Sequence, residues 1–505
     1  MIPFAERCGI HNAQRAAAFE DAKRLWRDLR LQRLRVGWCD LHGLLRGKTL
    51  IGPAALDAVM DGVSMVSTLM LKDSADRTAY PVFEPGALDE LPGFGFANNV
   101  MLLPDPASLC ALPWSSGTGW MRAQPWFADG TAVAIDSRSA LQRALALLTR
   151  QGHGLRCGLE VEFHIYRIED ARLDPGAAAW PGEPPTVSMI HPGHMLLGES
   201  WADLADEPLR IVEQTALGLG LPLKSLEIEL GPSQVEAVFG ATDAMTAADD
   251  MVRFRNGVKQ ALRRAGYHAS FVCRPPFPNV MASGWHLHQS LLHLHDGRNA
   301  FCRHAPAAGT GLRDAQHTLS DVGAHYLAGL LDHARGAAVF GTPTVNGYGR
   351  LRPNAMAPMA ALWGRDNRGA MLRVLGGPGD AGTRIENRVG EPMANPYLYI
   401  ASQIHAGLDG MARRLVPPAA TESPYAEPLN AEPPSSESAD AGRSHRLPTS
   451  LGEALDALAE DAVMTQAFGG ELFNWFQRVK RFELARHDAA EDREIWQRRE
   501  YFSRY

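Results

Sequence analysis

Four short runs of the sequence place polar side chains two residues apart within otherwise apolar segments: 158–165, 226–230, 284–288 and 384–388. Residues i and i+2 of a β-strand point to the same face, so each run predicts a strand with one polar face. The polar groups are two carboxylate pairs, one imidazole pair, and one carboxylate flanked by two guanidiniums. They are Glu160 and Glu162, Glu227 and Glu229, His286 and His288, and Arg384, Glu386 and Arg388.

These side-chain types indicate metal-assisted chemistry on a substrate that carries phosphate and carboxylate groups. Clustered carboxylates repel one another unless a cation neutralises them. Carboxylates combined with imidazole suit a hard divalent ion such as Mg²⁺ or Mn²⁺. Arginines close by suit the two-point capture of a carboxylate or a phosphate.

Other interpretations of the same ladders are open at this point. Any single ladder is also typical of a strand with one face in water. A zinc hydrolase is less favoured, because His-x-His stands without a third His or Cys at a familiar zinc spacing. The sequence has neither a Walker-type phosphate loop nor a convincing Rossmann fingerprint, so a bound nucleotide would need another architecture.

Composition narrows the class of protein without naming a function. The chain has 505 residues and a formal net charge of −7, which disfavours nucleic acid as its main partner. No apolar run approaches the length of a membrane span, and the first residues do not resemble a signal peptide. The six cysteines are scattered without a CxxC pair. We therefore expect a cytoplasmic protein with no membrane partner.

The elements that must position the ladders predict an α+β fold in two domains. Helical spacing extends over 16–35 and from Ser137 to Gln151, with Ser137 as the expected N-cap. Strand-like runs lie between them, beginning with 34–40. We expect an N-terminal domain over 1–122 and a catalytic domain over 123–505, in which 416–447, rich in Pro, Ser, Ala and Glu, forms an exposed loop.

The order and spacing of these segments resemble the glutamine synthetase superfamily. Segment 158–163 resembles its G-x-E-x-E-F strand, 229–236 its E-x-x-P-x-Q-x-E segment, and 283–290 its S-G-x-H-x-H-x-S segment. Segment 350–358 is similar to its R-x-x-P…AP loop, 384–388 to R-x-E-x-R, and 395–398 to NPYL. Several separate motifs in the right order make the resemblance specific.

The resemblance implies a small β-grasp N-terminal domain and a catalytic domain with a curved antiparallel sheet and surrounding helices. It implies ring oligomers, usually dodecamers, with active sites shared between neighbouring subunits. Its cofactors would be ATP and two or three Mg²⁺ or Mn²⁺ ions per site. The implied metal ligands form two sets: Glu162, Glu229 and Glu236 for one ion, and Glu160, His286 and Glu386 for another.

The same resemblance implies the substrate-binding residues. Those along ATP are His288, Ser290, Arg368 and Arg384. Those around glutamate are Arg350, Arg388 and Gly284, and the catalytic pair is Arg373, beside the transferred phosphate, and Arg388. The implied reaction forms γ-glutamyl phosphate from glutamate and ATP, and an amine then displaces phosphate.

The sequence departs from the family around the amine. Two acids that hold ammonium in the family have no counterpart here: the first region, 64–70, contains Val66 and no acid, and Met356 occupies the second position. Met281 replaces a family Asn near glutamate, and Trp285 adjoins His286. An ammonium ion without a counter-charge would pay a large desolvation cost.

Val66, Met356 and Trp285 are therefore expected to line a pocket for an apolar primary amine. Aniline is uncharged at neutral pH, and Met and aromatic side chains suit its ring. A ligase for polyamines or other alkylamines, a true ammonia-dependent glutamine synthetase, and a non-catalytic descendant of the fold are the alternatives. A related guanidino kinase is disfavoured, because it should lack the N-terminal domain and the 384–388 and 395–398 segments.

Overall fold

The computed structural model describes residues 2–351, 357–425 and 445–505. Two β-sheets lie one after the other along the chain, and helices pack against both, so the expected α+β class is confirmed. A single apolar cluster continues from the first sheet into the second. The two sheets therefore share one core.

The first sheet contains six strands, in the order β2-β1-β6-β4-β3 with β5 beside β6. Its strands are β1 (Arg33–Cys39), β2 (Leu45–Ile51), β3 (Val63–Val66), β4 (Asn99–Pro104), β5 (Cys110–Ala111) and β6 (Thr118–Trp126). All pairs are antiparallel except β1 with β6.

The second sheet carries all four polar runs and follows the order β14-β15-β16-β13-β7-β10-β9, with β8, β11 and β12 paired to β7. Its strands are β7 (His153–Asp170), β8 (Thr186–Met189), β9 (Leu223–Ile228), β10 (Gln234–Phe239), β11 (Thr242–Asp243), β12 (Tyr267–Ser270), β13 (Trp285–His293), β14 (Trp363–Arg365), β15 (Leu372–Leu375) and β16 (Arg384–Gly390). Only β14 and β15 pair in parallel among the described strands of this sheet.

Fourteen helices surround the sheets in the described part of the chain. They are α1 (Phe4–Arg7), α2 (Ala13–Asp28), α3 (Ala54–Asp61), α4 (Ser137–Arg150), α5 (Glu199–Leu204), α6 (Asp206–Gly218), α7 (Ala244–Arg264), α8 (Asp321–Asp332), α9 (Ala334–Gly341), α10 (Pro396–Arg413), α11 (Leu451–Glu460), α12 (Ala462–Phe468), α13 (Gly470–Asp488) and α14 (Arg493–Tyr501). Among the described residues, no helix is both long and apolar enough to cross a membrane.

Two local expectations need correction, and a third stays open. Helix α2 ends at Asp28 instead of continuing to residue 35, because 33–39 pair as β1. The N-cap of α4 is Asp136 and not Ser137, since the Asp136 carboxylate accepts a hydrogen bond from the Ser139 amide at 2.9 Å. In the 416–447 segment Val416 is exposed, Ala420 and Leu447 are buried, and 426–444 lie outside the described residues, so the exposed loop stays a prediction.

The junction between the two sheets is hydrogen-bonded. Asn395, the N-cap of α10, donates from its side-chain amide to the carbonyl oxygens of Asp40 and Leu41 at 3.0 and 3.1 Å. The expected domain boundary after residue 122 falls inside β6. We therefore propose a boundary after Trp126, which leaves the first sheet whole.

Candidate active site

The four polar runs become one continuous surface because their strands are neighbours in register. In the antiparallel pairs, Glu160 lies opposite His286 and Glu162 lies opposite Glu236. On the next strand, His288 lies opposite Glu386. Directly opposed residues of antiparallel strands share a face with Cβ atoms close together. We call this surface, formed by Glu160, Glu162, Glu229, Glu236, His286, His288 and Glu386, the acidic ladder.

The acidic ladder contains three groups whose ligand atoms could surround an ion, each with all its atoms within 4.8 Å of one another. The groups are Glu162 with Glu229 and Glu236, Glu160 with Glu236 and His286, and Glu160 with His288 and Glu386. The first matches one expected ligand set. The second expected set consists of Glu160, His286 and Glu386. Its members are close together, since His286 Nδ1 lies 3.4 Å from Glu160 and 3.8 Å from Glu386.

The chemistry of the acidic ladder fits a divalent cation. His286 Nδ1 is buried and has no hydrogen-bond partner among the described residues. Burial and the nearby Arg388 guanidinium lower the pKa of His286 to about 4, so the imidazole is neutral and available as a ligand. Burial and the Glu162 carboxylate raise the pKa of Glu236 to about 9. A bound cation would relieve that repulsion.

Glu386 is held between two arginines. Arg388 donates to its Oε1 and Arg373 to its Oε2, at 2.5 and 2.9 Å, and its side chain is fully buried. Burial alone would raise the pKa of Glu386, but His286 and Arg388 outweigh it and lower the pKa. Glu386 therefore stays ionised between Arg373 and Arg388, the two arginines of the expected catalytic pair.

Arg373 has a second partner that sequence reasoning missed. Its Nε and Nη2 both donate to Asp366, at 3.0 and 2.5 Å, and the Asp366 side chain is 71% exposed. An exposed partner is weakly held, so an incoming anion could replace it. Asp366 had no signal in the sequence, because it lies in a turn seven residues from Arg373 and outside every motif.

Gly284 allows a close approach at the glutamate end of the site. A Cβ at this position would lie 2.5 Å from Nη2 of Arg350, which is incompatible with the observed packing. The Gly284 amide donates to Glu162 at 2.7 Å. Arg350 itself donates to the carbonyl oxygens of Arg388, Val389 and Gly390. Gly284 thus leaves room for the Arg350 guanidinium between the start of β13 and the carbonyl groups of β16.

The residues expected along the nucleotide lie at one end of the acidic ladder. Arg384 Nε donates to His288 Nδ1 at 3.2 Å, and His288 Nε2 lies 2.9 Å from Glu160. Ser290 follows on the same face of β13. Arg368 is exposed and lines a groove of about 790 Å³ with Asp366.

Of the three residues expected to line the amine pocket, two lie in the described part of the chain, and they belong to different sheets. Trp285 is fully buried and packs edge-on against Tyr399, with ring centroids 5.1 Å apart. The alternation that turns His286 toward the ladder turns Trp285 to the opposite face, so its assignment to the pocket was wrong. Val66 lies in the first sheet and is 38% exposed. Met356 lies outside the described residues.

Gln234 is a further site residue to which the sequence assigned no role. Its amide nitrogen lies within hydrogen-bond distance of Glu162 Oε2 at 3.3 Å and of the Ser283 hydroxyl at 3.1 Å. Its side-chain oxygen accepts from the Gly231 amide at 3.0 Å. Gln234 therefore orients Glu162 and links it to the turn after Glu229. The sequence signal that could have identified Gln234 is its place as the Gln of the E-x-x-P-x-Q-x-E segment.

Comparison with known proteins identifies the family of the chain. The family described as "Glutamine synthetase, catalytic domain" matches residues 134–501. The chain is 35% identical to the gamma-glutamylanilide synthase of Acinetobacter sp. over 492 residues, which cover 94% of this chain and 93% of that protein. It is 30% identical to the gamma-glutamylethanolamide synthetase GlnA4 of Streptomyces coelicolor, over 92% of this chain and 91% of that protein.

A solved structure has the same fold. The structure titled "Apo GmaS without ligand" superposes with a TM-score of 0.72 at 26% identity and covers 94% of this chain and 97% of that one. The fold and the acidic ladder define an ATP-dependent ligase that joins glutamate to an amine. The chain belongs to the glutamine synthetase family.

Proposed function

We propose that this protein forms γ-glutamyl amides from glutamate and a primary amine other than ammonia, with an aromatic amine such as aniline as the preferred substrate. The observation that supports the ligase chemistry is the acidic ladder ending at Glu386, which is held by Arg373 and Arg388. A surface of carboxylates beside guanidiniums suits ATP, divalent ions and an acidic substrate together.

In the proposed reaction the γ-carboxylate oxygen of glutamate attacks the γ-phosphorus of ATP, and ADP leaves. The amine nitrogen then attacks the acyl carbon, phosphate leaves, and the amine loses a proton. Arg373 would exchange Asp366 for the transferring phosphoryl group and hold its charge, while Arg350 and Arg388 would orient glutamate. Mg²⁺ or Mn²⁺, held by the ladder, would supply neutralising charge for the nucleotide phosphates.

The identity of the amine rests on the two missing acids and on the relatives. Val66 and Met356 stand where an ammonium-binding site would need carboxylates. Two relatives that span nearly the whole chain are named for an anilide and an ethanolamide product. Other relatives, at 29–31% identity, are named glutamine synthetase, so it is the 35% identical anilide synthase that supports an amine larger than ammonia. Aniline is favoured because an uncharged ring needs no counter-charge.

An amine panel tests the proposal. Phosphate release with ATP, Mg²⁺ and glutamate should rise most with aniline and little with ammonium, putrescine or ethanolamine. An Arg373→Ala preparation purified in parallel controls for contaminating ATPases. Stimulation by ammonium alone would make the protein a true glutamine synthetase. No stimulation by any amine, with no ATP turnover, would indicate a non-catalytic descendant.

We also propose that the protein assembles into rings, so that the first sheet of one subunit brings Val66 to the acidic ladder of its neighbour. Within one chain Val66 and the ladder belong to different sheets, which supports a site completed between subunits. A particle mass near twelve times 55.0 kDa would support a dodecamer.

A cytoplasmic location is proposed as well, because all six cysteines are free thiols.

A further inference from the structure

A cavity of about 690 Å³ lies away from the acidic ladder, between the β1–β2 turn, helix α7 and the end of the chain. Its walls are largely apolar and include Leu45, Val252 and Phe271. Its size is in the range that holds a small organic molecule. The proposed ligase reaction uses no residue of this cavity.

The polar side chains of the cavity are mostly cations. Arg263 and Arg264 from α7 and Arg504 from the end of the chain line it together with Lys259. Its one acidic lining residue among those described, Asp76, is occupied by a salt bridge to Arg46 at 2.6 Å. The cavity therefore combines an apolar wall with an excess of positive charge.

Lys259 is the unusual member of this set. Its Nζ atom is buried and has no hydrogen-bond partner among the described residues. Burial and the charges of Arg255 and Arg263 lower the pKa of Lys259 to about 7. Arg255, by contrast, donates from its two terminal nitrogens to the carbonyl oxygens of Gly43, Pro392 and Ala394. A buried ammonium without a partner is costly, and an anion would remove that cost.

We propose that this cavity binds a small organic anion with an apolar body, with its carboxylate on Lys259 Nζ and its body against Phe271 and Val252. The occupant differs from the proposed substrates, since glutamate has no apolar body and aniline carries no charge. Inorganic anions would satisfy the charge and leave the apolar wall in water. The chemistry of the cavity thus selects an aromatic or branched aliphatic carboxylate.

The cavity lies behind β7, which is one of the strands that carry the acidic ladder. The ring of Phe271 stacks on that of Phe163, with centroids 4.9 Å apart and planes at 14°. Phe163 stands between Glu162 and His164 on β7, on the face opposite the carboxylates. A ligand on Phe271 would therefore lie one stacked ring away from the strand that carries Glu160 and Glu162.

Benzoate is the probe for this site. Acetate, an anion without an aromatic ring, and benzyl alcohol, an aromatic ring without a charge, are the two control ligands. Binding to the full-length protein is measured by calorimetry and by thermal melting near neutral pH. We expect benzoate to bind and to raise the melting temperature, and Lys259→Met to weaken its binding at least about tenfold, by loss of the charged partner. Lys224→Met, at an exposed lysine, is the matched control and should bind as the parent does.

The folding of the variant is checked within the same experiment. Lys259→Met removes a buried unpaired charge, so without ligand it should melt at or above the parent temperature. Arg263→Gln, at the partly exposed rim, should weaken benzoate less than Lys259→Met does. The proposal is overturned if benzoate does not bind, if Lys259→Met binds it as tightly as the parent, or if acetate or benzyl alcohol binds equally well. Because binding is the readout, the result does not depend on the proposed ligase reaction.

Discussion

Glu160 on β7 and His286 on β13 stand directly opposite each other in an antiparallel register, with Oε2 of the carboxylate 3.4 Å from Nδ1 of the imidazole. Burial alone would raise the pKa of Glu160, but His286 and His288 outweigh it and hold the pKa well below its usual range. The pKa of His286 is lowered as well. The pair therefore presents an ionised carboxylate beside a neutral ring, the protonation states that a metal ion requires.

In the metal-free protein, the stability contributed by Glu162 and Glu236 should fall as the pH rises. Burial and the neighbouring carboxylates raise the pKa of Glu162 to about 7 and that of Glu236 to about 9. Between the unfolded value near 4.5 and these values the folded state binds more protons than the unfolded state, so stability falls with increasing pH. Melting in EDTA from about pH 5 to pH 9 measures this slope. Mg²⁺ should stabilise the protein more at the alkaline end, because it displaces protons.

Glu236→Gln supplies the control for that experiment. The variant lacks one titrating group, so its metal-free stability should change less with pH than that of the parent. Its stabilisation by Mg²⁺ should also be smaller. Equal slopes for the two proteins would contradict the assignment of the alkaline titration to this carboxylate.

Replacing Glu386 should destabilise the protein strongly. Glu386→Gln leaves the Arg373 and Arg388 guanidiniums beside a neutral amide in a buried position, and breaking a buried pair from one side costs roughly 3–5 kcal/mol. Urea unfolding measures this loss. Glu227→Gln, at a partly exposed carboxylate on β9, should change the free energy of unfolding by less than about 1 kcal/mol. Equal losses in the two variants would show that Glu386 is not held as described.

Gly284→Ala should damage glutamate binding. The added methyl would lie 2.5 Å from Arg350 Nη2, so the guanidinium or the strand must move. We expect kcat/KM for glutamate to fall at least about tenfold and stability to fall by about 1–3 kcal/mol. Steady-state kinetics with varied glutamate give the first quantity. Gly377→Ala, where a Cβ meets nothing within 4 Å, is the control and should behave as the parent.

His333 should stabilise the protein only while it is protonated. Its Nδ1 lies 2.8 Å from Asp461 and its Nε2 lies 2.9 Å from Asp409. Burial alone would lower the pKa of His333, but the two carboxylates outweigh it and raise the pKa. The contribution is therefore complete below the unfolded pKa near 6.5 and is lost as the pH rises through the higher folded value.

The His333→Gln variant isolates this contribution. At about pH 6 it should be less stable than the parent by about 3 kcal/mol, the cost of breaking a buried charge pair. The difference between the two proteins should shrink toward alkaline pH, and urea unfolding at several pH values measures it. A constant difference would mean that the imidazole does not titrate over that pH range.

Met356→Glu tests the amine assignment. A carboxylate at this position would supply the counter-charge that ammonium needs and would oppose an apolar ring. We expect stimulation of phosphate release to shift from aniline toward ammonium. Met356→Gln has a similar size without the charge, so it should weaken aniline use without admitting ammonium. Unchanged amine preference in the Glu variant would remove this residue from the amine pocket.

Local alternation was the reliable part of the sequence prediction. It placed Glu160 with Glu162 and His286 with His288, and the structure has both pairs on one face. The same rule, applied one residue further, would have placed Trp285 in the core with Leu287. The α4 cap was misplaced by one residue, since Asp and Ser are both good N-caps and stand side by side.

Contacts between different strands and turns could not be predicted in the same way. The hydrogen bond from Arg373 to Asp366 joins β15 to the turn after β14. Gln234 donates a hydrogen bond to Glu162 from the neighbouring strand. The unpaired Lys259 depends on three segments far apart in the chain, which meet around one cavity. None of these relationships leaves a periodic trace in the sequence.

The sequence by itself determined which side chains share a strand face and which family the motifs resemble, because the two-residue repeat of a strand is a local property of the backbone. Only the tertiary structure decided the order and register of the strands. Register set Glu162 against Glu236 and His288 against Glu386, and so made one acidic surface from four separate runs. That outcome depends on packing between segments far apart in the chain, and a one-residue slip would have turned the carboxylates into the core.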